Sequence, residues 1–168
     1  LNGEEVLFGS ELIFACTNMP KLTVAAEICE DLWVTSPPSA NHAAAGANLI
    51  VNLSASSEAV GKDSYRKSLV RGQSARLVCG YVYANAGEGE STQDLVFGGQ
   101  NLIAENGALL AEGKRFQNEI VYGDVDFERI SSERRRMTTF ESDLGTYQMV
   151  PFCLTVEETK LTRQFAPN

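Results

Sequence analysis

Apolar positions along the chain fall into short runs separated by turn residues. Glu11 to Cys16 and Leu22 to Ile28 (LTVAAEI) read as strands. Leu49 to Leu53 (LIVNL) is continuously apolar, the pattern of a strand covered on both faces. Tyr81 to Asn85 (YVYAN) is the next strand. Between these runs, Pro37-Pro38-Ser39 opens a small helix through Ala45, with Ser39 as its cap and Gly46 as its stop. Asp63 to Leu77 is helical, with Tyr65, Leu69, Gly72 and Ala75 near one stripe. Strand, helix, strand, helix, strand is the signature of a layered α/β sheet.

The second half changes character. Leu102–Ala104 and Ala108–Ala111 flank Glu105-Asn106-Gly107, a hairpin turn because Asn-Gly tolerates positive φ. Ile120 to Phe127 (IVYGDVDF) alternates and predicts a strand, and Phe127 to Met137 predicts a charged helix. From Thr138 onward periodicity weakens. The expectation is a domain over 1–140 and an extended arm or linker over 141–168.

The 168 residues are 43% hydrophobic and 21% charged, ordinary for one globular domain with a real core. No apolar run approaches the roughly 18–20 residues of a membrane span. Leu1–Glu5 is polar and acidic, unlike a leader, and the start without Met suggests a fragment or processed piece. A net charge of -8 makes nucleic acid and anionic membrane surfaces poor partners. The basic cluster Arg134-Arg135-Arg136 reads first as a solvated helix face. Cys16, Cys29, Cys79 and Cys153 form no CxxC pair, and His42 is the only histidine, so neither a zinc site nor a disulfide scaffold is expected. Reduced thiols in a cytoplasmic protein are the simplest reading. Cys16, Cys79 and Cys153 sit in apolar contexts that suit small core residues.

Cys29 differs. It ends a strand and is followed at once by Glu30, Asp31 and, after Leu32, Trp33. Three segments should meet at the C-terminal ends of adjacent strands, where open α/β sheets bind ligands: Cys29–Asp31, Asn52–Ser57 leading to Gly61-Lys62, and Asn85–Ser91. A thiol nucleophile needs a base and a charge stabiliser for its tetrahedral intermediate. His42, in a helix beside alanines, reads as structural or surface. Glu30, Asp31, Glu88 and Glu90 remain open as bases, none singled out by spacing.

The motifs AAEICEDLW, PPSA…AGANLIVNLSAS, GYVYANAGEGESTQDLVFGGQ, AENGALLAEGKRF and ERRRMTTF occur in order along the chain. Together they resemble the nitrilase-type glutaminase domain of glutamine-dependent NAD synthetase, over about Leu1 to Phe140. The resemblance implies the C-terminal half of that domain, an α/β fold that is part of a nitrilase-like α-β-β-α sandwich. It implies a Glu, Lys and Cys triad with Cys29 as nucleophile, the Glu and Lys lying upstream of this chain. The isolated chain is then expected to be inactive. Glu30 would supply a backbone N–H to the oxyanion, and Ser56 and Lys62 would bind glutamine. Some relatives carry arginine at the Lys62 position; lysine keeps the charge without the planar fork. The implied partners are L-glutamine, the missing N-terminal half and a downstream synthetase domain, with homo-oligomers expected. ATP and magnesium belong to the synthetase domain, leaving no cofactor for this chain. Two rivals are another carbon–nitrogen hydrolase acting on a small amide, and a non-catalytic interaction module in which Cys29 is structural.

Overall fold

The computed structural model describes residues 2–155. Their strands are β1 (Leu12–Cys16), β2 (Thr23–Ile28), β3 (Leu49–Ser54), β4 (Gly80–Asn85), β5 (Leu102–Glu105), β6 (Ala108–Glu112) and β7 (Gln148–Phe152). The helices are α1 (Pro38–Ala44), α2 (Lys62–Arg76) and α3 (Phe127–Arg136). One sheet forms in the order β6-β5-β4-β3-β2-β1-β7. At its centre β2, β3 and β4 run parallel, in a register that aligns Ile28, Leu53 and Ala84. Three chain ends therefore leave the sheet side by side.

Strand alternation divides this sheet into two unlike faces. Ala25, Ile50, Tyr81, Tyr83, Leu102 and Ala104 are buried on the face that α1 and α2 cover. Burying each large apolar side chain there contributes about 1.5–3 kcal/mol. Glu27 and Asn52 share that face and are also buried. On the other face Ile28 is 65% exposed and Leu53 60%. LIVNL is thus closed on one side and partly open on the other, because only its first residues are covered. Val125, in the segment before α3, packs against the Leu49–Gly80 end of that face.

Several sequence expectations change. Ile120 to Phe127 is not a strand: residues 120–126 cross the sheet without joining a ladder. Its alternation instead serves one-sided packing, with Gly123 close against Ile103 and Leu110, and the Asp126 N–H donating to Glu105 at 2.7 Å. The weakly periodic stretch after Thr138 returns to the sheet, where β7 pairs with β1 in parallel. The end of the expected arm, 156–168, lies outside the described residues.

Ser39 does not cap α1. The cap position is Pro37, and the Ser39 N–H donates to the Glu27 carboxylate at 2.8 Å. The acceptor comes from the sheet, so no capping side chain is needed. The buried stripe of α2 is Arg66, Val70, Gln73 and Ser74, not Tyr65, Leu69, Gly72 and Ala75. Its polar members have partners: Gln73 donates to the Ser39 hydroxyl at 2.9 Å, and Arg66 to Gln100 at 2.6 Å. Tyr65 faces outward against Trp33.

Arg134 is no solvated residue. It donates to the carbonyls of Ala47, Leu77 and Val78 and to Asn48 Oδ1, at 2.7–3.0 Å. Arg135 and Arg136 are exposed, as a solvated face requires. Cys153 is exposed just beyond β7, an edge strand with no sheet neighbour on its outer side among the described residues, whereas Cys16 and Cys79 are buried.

Candidate active site

Cys29 is the first residue beyond β2 and opens a short 3-10 turn, Cys29–Leu32. Its φ is 49°, in the left-handed region. A non-glycine residue held there costs on the order of 1–3 kcal/mol, so the surroundings must impose it. Two contacts do so. The Asp31 carboxylate accepts the Ile28 N–H at 2.8 Å, and Asn52 Oδ1 accepts the Cys29 N–H at 3.1 Å. The thiol therefore leaves the strand on a sharp, braced bend. Glu30 follows in the opening turn, where helical N–H groups have no partner inside their own helix.

Ser56 comes from the loop after β3. Asn85, at the end of β4, clamps it by accepting its N–H at 2.8 Å and donating to its carbonyl at 3.1 Å. The Ser56 hydroxyl lies 3.4 Å from Arg66, a fully buried guanidinium that also donates to Glu58 at 2.9 Å. Lys62 is the first residue of α2, reached through Gly61, whose φ of 79° favours glycine. Its Nζ is 5.4 Å from the Trp33 ring centroid and 3.5 Å from Ser57 Oγ.

These residues converge. Cys29, Glu30, Trp33, Ala55, Ser56, Ser57 and Lys62 line one cavity of about 370 Å³. It holds a thiol, hydroxyls, a cation and an aromatic wall. A larger cavity, about 640 Å³, opens beside Met19, Lys21, Leu22 and Phe127, towards the other end of β2, and is lined by no thiol and no side-chain hydroxyl. The smaller one, with the Cys29 thiol in its lining, is the candidate site.

Other expected groups stay apart. Glu88 and Glu90 are exposed and do not line the cavity, and Asp31 is committed to the Ile28 amide. His42 is buried, with Nε2 donating to the Ala26 carbonyl at 3.1 Å and Nδ1 accepting from Tyr147 at 2.6 Å. Burial lowers its pKa, as suits a neutral structural ring. Burial pushes the Cys79 thiol up to about 12, far from nucleophilic use. Among the described residues no group of three His, Cys, Asp or Glu side chains is arranged to hold a metal ion. Sequence reasoning missed the parts of Glu27, Tyr81 and Arg66. For Glu27 the available signal was a carboxylate two residues from an inward-facing alanine of an otherwise apolar strand.

Comparison with known proteins shows the family. Glutamine-dependent NAD(+) synthetase of Mycobacterium tuberculosis is 48% identical over 145 residues, 85% of this chain and 21% of that protein. The enzyme of the same name from Aquifex aeolicus is 31% identical over 125 residues, 74% of this chain and 21% of its own length. The chain thus spans about a fifth of these relatives. Saccharomyces cerevisiae Nit3, of the nitrilase superfamily, shares the fold with a TM-score of 0.60 at 19% identity, over 71% of this chain and 43% of its own. Residues 3–135 match the carbon-nitrogen hydrolase family, and the chain belongs to it.

Proposed function

We propose that this chain is the nucleophile-bearing part of the glutaminase domain of a glutamine-dependent NAD synthetase. The observation that carries this reading is the single cavity shared by Cys29, Glu30, Ser56 and Lys62. The 48% identity to a synthetase of that name favours it over an amidase of small amides.

Cys29 sulfur attacks the side-chain amide carbon of L-glutamine. The carbonyl oxygen gains negative charge, and the Glu30 N–H donates to it. The C–N bond breaks, the nitrogen takes a proton, and ammonia leaves a γ-glutamyl thioester. Water then cleaves the thioester, releasing glutamate and restoring the thiol. Ser56 and Lys62 hold the amino-acid end of the substrate, the ammonium facing the α-carboxylate. The general base and a second lysine come from the part of the enzyme that this chain does not span, so the chain alone is inactive. Ammonia passes to a synthetase domain that binds ATP and magnesium and amidates deamido-NAD. A cytoplasmic homo-oligomer is the setting.

The thioester is directly testable. The full-length protein, mixed with glutamine and quenched in acid, should yield a Cys29 peptide heavier by one glutamyl group. A Cys29 peptide that stays unmodified under turnover, with another residue carrying the adduct, contradicts the assignment.

A further inference from the structure

Beneath Cys29 lies a chain of buried polar groups that the reaction above does not use. One Glu27 carboxylate oxygen accepts the Ser39 N–H at 2.8 Å; the other accepts the Tyr81 O–H. Asn52 Nδ2 lies 3.2 Å from the Tyr81 oxygen. Asn52 Oδ1 accepts the Cys29 N–H at 3.1 Å and the Ser54 hydroxyl at 2.6 Å, while Nδ2 is 3.4 Å from the Cys29 carbonyl. Glu27, Ser39, Asn52 and Tyr81 are all buried.

Donor and acceptor capacities give this chain a direction. The Tyr81 O–H donates to Glu27, so its one proton is spent there. Burial and the Glu27 charge raise the Tyr81 pKa, keeping that proton in place. Towards Asn52 the Tyr81 oxygen can therefore only accept, which turns the amide NH2 to it and the amide oxygen to Cys29. We infer that Glu27, Tyr81 and Asn52 are positioning residues that lock the Cys29 bend, and with it the thiol, into attacking geometry. For its catalytic consequence the inference rests on Cys29 being the nucleophile.

Three substitutions in the full-length protein test it. Tyr81→Phe removes the O–H alone. Glu27→Gln keeps the shape but, with its oxygen on Ser39, presents an NH2 to Tyr81; this reverses the chain and turns the Asn52 NH2 against the Cys29 N–H. Tyr83→Phe, on the same strand and face, removes a buried hydroxyl that has no hydrogen-bond partner among the described residues, and serves as control. Amide hydrogen exchange at Cys29 should quicken roughly tenfold in the first two variants, the loss of about one hydrogen bond. Glutamine hydrolysis should lose roughly ten- to a hundredfold in kcat with KM within about twofold. Tyr83→Phe should change neither. Unchanged Cys29 exchange in both variants overturns the inference. So does exchange rising equally at Ile50 and Val51 of β3, or equally in Tyr83→Phe, since each marks a general structural role. If the parent protein shows no Cys29-dependent glutamine hydrolysis, the nucleophile reading fails, and Cys29 exchange still decides whether the chain braces the bend.

Discussion

Lys62 opens α2 after the loop that follows β3, with its ammonium near the Trp33 face and Ser57. A cation held there lines the cavity. Lys62→Ala in the full-length enzyme should raise KM for glutamine about tenfold, the loss of one charge-assisted contact, and leave kcat within about threefold. Steady-state kinetics with varied glutamine separates the two. A large fall in kcat with KM unchanged would make Lys62 part of the chemistry instead. At this scale the sequence was informative about charge just after a strand, as beside Cys29, and at a helix start, as at Lys62. It placed Asn52 at the start of a converging segment but revealed no buried role for Glu27 or Asn52. An isolated polar residue in an apolar strand has the same appearance whether it faces solvent or a buried partner, and the partners, Tyr81 and Ser39, are distant in the chain.

Among the elements, α3 shows how a surface pattern can conceal a structural tie. Arg134 joins the end of α3 to the turns that precede β3 and β4, and its guanidinium lies 4.7 Å from the Phe140 ring centroid. Those turns set where β3 and β4 start, and so where their C-terminal ends reach the cavity. Arg134→Ala leaves several buried carbonyls unpaired and should cost about 2–4 kcal/mol in urea unfolding, whereas Arg135→Ala should stay within about 0.5 kcal/mol. Equal effects at the two positions would contradict the tie. Periodicity located α2 and α3 but misassigned the inner stripe of α2, because Arg66, Gln73 and Ser74 are buried polar residues whose side chains bond Gln100, Ser39 of α1 and the Arg71 carbonyl. It likewise read 120–127 as a strand: alternation reports one-sided burial, and here a non-ladder segment is packed on one side.

At the scale of the whole molecule, the sheet is finished on one face and open on the other. Ile28 and Leu53 are exposed at the strand ends that lead to Cys29 and Ser56, and Phe14 is exposed beside the start of β2. In an α-β-β-α sandwich a second sheet lies on such a face, and under the proposed function that region supplies the base. The order of motifs made the family and the α/β class legible. The inclusion of β7 was not, since pairing with β1 is a long-range choice that QMVPF, interrupted by Pro151, does not announce. If Cys29 serves only to make ammonia for a distant synthetase centre, the two half-reactions must separate. The decisive measurement is NAD formation by full-length Cys29→Ala enzyme with glutamine or with ammonium as nitrogen donor. The account predicts that glutamine no longer supports synthesis while ammonium supports it at the unsubstituted rate. Synthesis from glutamine that survives the substitution would contradict it.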